Sequence, residues 1–308
     1  MRVLVTGGAG FIGSHIVDRL VKMGHHVSVV DNFLTGSKEN LNEKAKYHEA
    51  DISDLEDLDR VFSEEKPEYI FHVAAGYLVQ SLENPQRDAK TNIIGTINII
   101  QLCLKYNIKK VIYSNSGGAS YGNPQQIPIP ETHSIHPLTP YGASKYAGEL
   151  YFDMYYKNHG LKYTSLRYGN VYGPRQRPEL EGGVISVFLD ALIKKQNPVM
   201  KSDGTPVRDY IFVDDVVDAN ILAMSHGDGE AYHVASGKGT SVLELYGILQ
   251  KVLNTNINYV LGKPRVGDPQ KAIFDISKIK KELGWEPKVS LEEGTRATAE
   301  WLKNRKND

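Results

Sequence analysis

Three short stretches of this 308-residue chain hold residue types whose spacing allows chemistry. Residues 141 to 145 read Y-G-A-S-K. On a helix, positions i and i+4 share a face, so Tyr141 and Lys145 point the same way. A tyrosine near its ordinary pKa of about 10 is a poor base at neutral pH, and a neighbouring ammonium favours the phenolate. Such a pair can take the proton of an alcohol as hydride leaves the carbon for a nicotinamide. Alone, Y-x-x-x-K is weak, because most such pairs lie on surfaces. The second stretch strengthens it. Residues 6 to 13, T-G-G-A-G-F-I-G, follow the apolar run Val3-Leu4-Val5 and open a helical pattern. Gly7, Gly10 and Gly13 would let a dinucleotide diphosphate approach bare backbone at a helix N-terminus. Asp31 closes the next strand, where its carboxylate can accept from an adenosine ribose and would repel an extra 2′-phosphate. Asn32 and Phe33 bring no arginine for that phosphate, so the expected cofactor is NAD rather than NADP. The third stretch, S-N-S-G-G-A-S-Y-G at 114 to 122, is either a plain turn or the source of a second catalytic hydroxyl. Composition alone favours the turn.

These groups need a scaffold, and the hydrophobic pattern predicts one. Strands are expected at 3–5, 27–30, 47–50, 69–73, 111–113 and 163–166, and helices at 11–22, 55–62, about 93–104 and 141–156. Strands alternating with helices imply an α/β fold, a Rossmann-type doubly wound parallel sheet. After about residue 170 the alternation loosens around G-P-R-Q-R-P and S-D-G-T-P, with helices expected near 184–195, 214–225, 241–253 and 291–303. This predicts a smaller, interleaved C-terminal substrate domain. The expected division is 1–169, with a returning segment near 209–236, against 170–208 plus 237–308. A net charge of −1 gives no footprint for nucleic acid or an anionic membrane. Cys103 is the single cysteine, so an intrachain disulfide is impossible and a cysteine-built metal site is not expected. His72 ends a buried strand without ligand partners at useful spacing, so it reads as a core histidine and no metal is expected. No apolar run reaches the length of a membrane span, and the N-terminus enters a strand without a signal-peptide pattern; a cytoplasmic location is expected.

Several longer stretches carry a resemblance. They are T-G-G-A-G-F-I-G, D-N-F-L-T-G (31–36), A-D-I (50–52), H-V-A-A (72–75), N-I-I-G-T (92–96), Y-G-A-S-K, L-R-Y-G-N-V-Y-G-P-R-Q (166–176), R-D-Y-I-F-V-D-D (208–215) and R-V-G-D (265–268). On these the chain resembles the extended short-chain dehydrogenase/reductase family over essentially its whole length, and most of all the UDP-glucose 4-epimerases and related sugar-nucleotide epimerases. The resemblance implies that Tyr141 and Lys145 are catalytic and also touch the cofactor. It places Gly7, Gly10, Phe11, Ile12, Asp31, Asn32, Phe33, Thr35 and Gly36 around the diphosphate and adenosine. Asp51 and Ile52 would lie near adenine. Val73, Ala74, Ala75 and Asn92 would line the cofactor, with Ser114 and Tyr168 towards the nicotinamide. Ser81, Asn170, Val184, Arg208, Arg265, Asp268 and Ala272 would hold the sugar nucleotide, the arginines forking onto phosphate oxygens. It further implies a homodimer through the helices near 85–105 and 140–157.

The resemblance bears on the serine loop as well. The family carries Ser or Thr four residues before the tyrosine of its Y-G pair, and here that place holds Gly117. Ser116 is the first choice for the assisting hydroxyl, ahead of Ser120; a water, or Tyr141 alone, stays open. Related 4,6-dehydratases carry an Asp-Glu pair where this chain has Gly118 and Ala119, and related decarboxylases a glutamate at position 119. The implied activity is therefore an NAD-dependent 4-epimerase of UDP-hexoses acting through a transient 4-keto sugar. Ala272 stands where a tyrosine often confines relatives to glucose and galactose, so the UDP-GlcNAc/UDP-GalNAc pair is expected too. The alternatives are another NAD-dependent sugar-nucleotide enzyme (a 4,6-dehydratase, a reductase or a uronate 4-epimerase) and a non-catalytic NAD-binding protein. Two departures matter. The chain is one residue short between Ala75 and Ser81, which leaves 76–80 unassigned. Lys201 replaces an aromatic residue expected beside uracil, which leaves uracil against thymine open.

Overall fold

In the computed structural model, residues 1–180, 183–263, 267 and 269–305 are described. The first half runs β1 (Arg2–Thr6), α1 (Phe11–Lys22), β2 (His26–Asp31), β3 (Lys46–Glu49), α2 (Leu55–Glu65), β4 (Tyr69–His72), α3 (Leu78–Glu83), α4 (Pro85–Ala89), α5 (Gly95–Lys105), β5 (Lys110–Ser116), α6 (Pro140–His159) and β6 (Tyr163–Tyr168). The second half adds β7 (Asn170–Tyr172), α7 (Val184–Ile193), β8 (Val199–Met200), β9 (Val207–Phe212), α8 (Val213–Ala223), β10 (Glu230–Val234), β11 (Gly239–Ser241), α9 (Val242–Leu253), β12 (Val260–Leu261), α10 (Ser277–Leu283) and α11 (Leu291–Asn304).

Seven strands form one sheet in the order β10-β6-β5-β4-β1-β2-β3. Every pairing in it is parallel. Strand side chains alternate between faces, and helices cover both. Val3, Val5, Val27, Val29 and Phe71 pack on one side with α1 and α8, while Leu4, Val30, Ile70, Val111 and Tyr113 pack on the other with α2, α5 and α6. Burial on both faces explains why these strands read as continuous apolar runs. The chain leaves β1 towards β2 on one side and β4 on the other, so a crevice opens at the strands' C-terminal ends, where ligands meet open α/β sheets.

Three features depart from expectation. The fifth strand extends to Ser116, so the serine loop starts later than its composition suggests. The helix expected near 93 begins instead as a π-helical turn, Lys90–Ile94, that continues into α5. The short helices α3 and α4 had no readable period.

The second lobe is built on a three-stranded sheet, β11-β9-β7. Its own core holds Tyr172, Ile185, Phe188, Leu245, Leu249 and Leu302, under α7, α9 and α11. The chain returns from this lobe to the large sheet through α8 and β10, which pairs with β6. Residues 277–285, expected in the second lobe, also pack on the first: Ile279, Leu283 and Trp285 join the α1/α8 core, and the Trp285 indole donates to the Asp215 carbonyl at 3.0 Å. No helix among the described residues is long and apolar enough to cross a membrane.

Candidate active site

The crevice holds a cavity of about 290 Å³. Its floor is the turn between β1 and α1, with Gly7, Gly10, Phe11 and Ile12 in the wall. Gly7 has φ +71, and a Cβ there would sit 2.7 Å from the Ala74 amide nitrogen. A Cβ on Gly13 would run into the Gly7 carbonyl. Only glycine leaves this cradle open. Gly10 caps α1 without a side-chain hydrogen bond, so the first amides of the helix face the cavity side uncapped. Asp31, Asn32, Thr35, Asp51, Ile52, Val73, Ala74 and Ala75 line the same cavity. The Asp31 carboxylate accepts from the Ala9 and Phe33 amides at 2.9 and 2.8 Å. Burial raises its pKa, and those two hydrogen bonds act against the rise. Bare backbone beside a carboxylate at the end of β2 fits a dinucleotide. Phe33 and Gly36 are not in the wall; Gly36 packs on Asp31, where a Cβ would fall 2.8 Å from Oδ1.

Tyr141 and Lys145 lie in the first turns of α6. Thr139 caps this helix, accepting from the Gly142 amide at 3.2 Å, and Pro140 occupies its first turn. The Tyr141 amide donates to Ser81 Oγ at 3.1 Å, and Ser81 Oγ–H donates to the Leu78 carbonyl at 2.6 Å. Ser81, expected at the sugar nucleotide, thus uses its hydroxyl to seat Tyr141. Lys145 is 3% exposed, with Nζ 4.5 Å from the centre of the Tyr113 ring. Burial pulls its pKa down to about 7, and the nearby Asp88 carboxylate opposes the fall. Asp88 is held through Asn92, whose Nδ2 donates to Asp88 at 2.8 Å and to Ser144 Oγ at 2.9 Å while its Oδ1 accepts from the Gly76 amide at 2.9 Å. Asn92 therefore stands behind the cavity wall and not in it. The Asn92 carbonyl accepts from Thr96 Oγ1, which faces His72 Nε2 at 3.0 Å; His72 Nδ1 faces Thr6 Oγ1 at 2.8 Å. Because the Thr96 proton is already given away, His72 carries its proton on Nε2. Burial lowers its pKa to about 3, so it is a neutral core histidine joining β1, β4 and α5.

A second cavity, about 180 Å³, is lined by Ser116, Gly118, Ala119, Thr139, Asn170 and Arg208, with Leu78, Gly169, Gly267 and Pro269. Tyr141 is tied to both cavities through its backbone: Ser81 of the first holds its amide, and Thr139 of the second precedes it by two residues. Ser116 is fixed by its amide donating to Asn115 Oδ1 at 2.8 Å and by its hydroxyl accepting from the Ala119 amide at 3.2 Å. Asn115 is anchored to Glu149 at 2.8 Å, and Glu149 forms a buried ion pair with Arg167. Ser120 is fully buried and donates to the Ser116 carbonyl. Ser114 and Tyr168, expected near the nicotinamide, face each other at 2.9 Å, and Asn220 holds the Tyr168 hydroxyl at 2.8 Å. Both turn into the core, leaving the Tyr168 carbonyl to accept from the Gly117 amide at 2.8 Å.

Ala272 does not reach either cavity. It is 3% exposed and packs with Tyr121, Ile129, Ala235 and Phe274. Val184 begins α7 against the second-lobe core and lines neither cavity. Arg265 and Asp268 lie outside the described residues. Sequence reasoning gave no role to Asn40, Gln80, Asp88, Arg175, Gln176 or Arg177, all of which line the first cavity. G-P-R-Q was the available signal.

Fold and site together define a class: a dinucleotide-dependent enzyme with a Tyr-Lys pair on the helix that Thr139 of the second cavity caps. The chain belongs to the NAD dependent epimerase/dehydratase family, which matches residues 3–235. It is similar to the UDP-glucose 4-epimerase of Thermotoga maritima, solved with UDP-glucose, at 48% identity and a TM-score of 0.98 over 99% of both chains. It is similar to the Thermus thermophilus UDP-glucose 4-epimerase, solved with NAD, at 37% identity and a TM-score of 0.94, covering 98% of this chain and 99% of that one. The UDP-glucose 4-epimerase of Mycolicibacterium smegmatis is 39% identical over 312 residues, 99% of both chains.

Proposed function

We infer that this protein is an NAD-dependent UDP-glucose 4-epimerase. Bound NAD+ supplies a reversible hydride acceptor. Tyr141 takes the proton of the sugar 4-hydroxyl and returns it after the keto sugar has turned over. Lys145 favours the phenolate electrostatically, as a buried ammonium one helical turn away does. Arg208 and Asn170 hold the nucleotide diphosphate side of the substrate, and Ser116 steadies the reacting hydroxyl. The observation that favours epimerisation over elimination is the wall of the second cavity: positions 118 and 119 are Gly and Ala, and its described residues carry hydroxyls, an amide and a guanidinium. A dehydratase must move protons at neighbouring carbons, and among the described residues this wall brings no acid to do so. The test is proton NMR of UDP-glucose, UDP-GlcNAc, UDP-glucuronate and dTDP-glucose with the purified enzyme. UDP-galactose formation without net NADH supports the reading; a 4-keto-6-deoxy product, or NADH released in step with turnover, refutes it.

A homodimer is part of the proposal. Leu82, Ile94, Leu150 and Met154, on or beside α3, α5 and α6, are all more than two-fifths exposed, and a second copy would cover them. Light scattering at micromolar concentration decides it. We assign the enzyme to the cytoplasm, where its single, buried, free cysteine fits a reducing compartment. The two-lobe division described above is proposed as the functional one, with NAD on the first lobe and the sugar nucleotide between the lobes.

A further inference from the structure

The segment after β7 brings Arg175, Gln176, Arg177 and Leu180 to the wall of the first cavity, which the glycine turn also lines. Two side chains of α1 hold it down. The His15 ring donates through Nε2 to the Pro174 carbonyl at 3.0 Å, and Asp18 forms an ion pair with Arg175 Nη2 at 2.8 Å. Arg175 itself has φ +69, a left-handed backbone that side-chain-bearing residues rarely adopt and that persists only where surroundings enforce it. One end of its guanidinium is unused. Arg175 Nη1 is buried and has no hydrogen-bond partner among the described residues. The neighbouring Gln176 donates through Nε2 to the Val171 carbonyl at 2.9 Å, while its Oε1 is likewise buried without a partner among them. A buried N–H of a charged group left without an acceptor is strongly unfavourable, so a ligand that supplies an acceptor there gains affinity from it.

We infer that Arg175 is an anion ligand of the dinucleotide: Nη1 donates to its diphosphate from the second-lobe side, opposite the amides of the glycine turn. The inference rests on the NAD reading above. A guanidinium is suited to this role because it stays charged and offers donors in a fixed fork, one arm on Asp18 and one on phosphate. With His15 and Asp18 anchoring the segment, the cofactor is enclosed between the lobes rather than laid in an open groove. Cofactor retention then depends on a residue outside the glycine-turn motif.

The test is binding, not turnover. NADH affinity is measured by fluorescence, and ADP-ribose and adenosine by NADH displacement, for the unmodified protein, Arg175→Met, Arg175→Lys and Asp18→Asn. Arg175→Met should weaken NADH and ADP-ribose about 10²-fold, the scale of one charge-assisted hydrogen bond, and leave adenosine within about twofold. Arg175→Lys should recover part of the loss. Asp18→Asn should weaken ADP-ribose far less than Arg175→Met. Equal affinity of Arg175→Met and the unmodified protein for ADP-ribose overturns the inference. So does an equal loss for adenosine together with a lowered melting temperature of the cofactor-free variant, since that pattern is collapse of the segment. If the unmodified protein binds neither NADH nor ADP-ribose, the cofactor reading itself has failed, and the Arg175 inference falls with it.

Discussion

Replacing Lys145 by methionine should make the cofactor-free protein more stable and erase part of its pH dependence. The amine is enclosed, and burial draws its pKa from 10.5 to about 7. Each pH unit of that difference is worth about 1.4 kcal/mol, so the folded chain carries a penalty of about 5 kcal/mol at or below pH 7. The sign follows from proton counting. Between pH 7 and 10.5 the unfolded chain keeps the Lys145 proton and the folded chain has released it. The unfolded state binds more protons, so stability rises with pH across this window, by about 2 kcal/mol from pH 7 to 9. Lys145→Met keeps the bulk against Tyr113 and removes the titration. Urea unfolding of both proteins at pH 6, 7, 8 and 9 measures the effect. The difference between them should be largest at pH 6 to 7 and narrow by about 1.4 kcal/mol per pH unit above that. Turnover should fall in the variant, most at and below about pH 7, where Lys145 is protonated and favours the Tyr141 phenolate. Parallel stability curves would refute the argument, since they would mean that Lys145 is charged and solvated in the folded state.

Asp31→Ala should raise NADP affinity relative to NAD and lower stability by about 1–3 kcal/mol, because the Ala9 and Phe33 amides lose their acceptor; equal affinity of the unmodified protein for both cofactors would contradict the role. Ser116→Ala should reduce kcat by about 10²-fold, whereas Ser120→Ala should mainly lower the melting temperature, since that hydroxyl is enclosed; the reverse ranking would show that the loop hydroxyls have been misassigned. Ala272→Tyr should cost about 1–3 kcal/mol through overpacking against Tyr121 and Phe274, and reduce activity on UDP-glucose and UDP-GlcNAc together. A selective loss of the N-acetyl reaction would show instead that this side chain reaches the sugar, as the sequence suggested.

The parts legible in the sequence are those written in local spacing. The central strands β1, β2, β4 and β5 could be read because both faces are buried and their runs are largely apolar, whereas β10 was not expected. The glycine turn could be read because its three glycines answer a steric demand within eight residues. Tyr141 and Lys145 follow from one helical turn. What was not legible depends on partners far along the chain. Ser81 carries no sign that its hydroxyl will hold an amide 60 residues later. Ser114 and Tyr168 turn inward because Asn220, on α8, offers a hydrogen bond that no local pattern announces. Ala272 is a small residue entering a strand-like segment, and only the fold reveals that Phe274 and Tyr121 enclose it. Arg175 sits in a stretch whose resemblance was plain, but its left-handed backbone and its hold on α1 exist only after the lobes meet.

The pairing of β10 with β6 sets a schedule for synthesis. The first six strands of the large sheet are complete by Tyr168, yet the strand that covers the β6 edge is not made until Glu230–Val234. On the ribosome, β6 spends the intervening 61 residues with one row of amides and carbonyls unpaired. Its sequence, YTSLRY, is fully buried in the finished fold. Such an edge is a template for any passing strand. The nascent chain is therefore most exposed to misassociation late, when most of its sheet already exists, and a slow stretch of translation between residues 169 and 229 would lengthen that exposure.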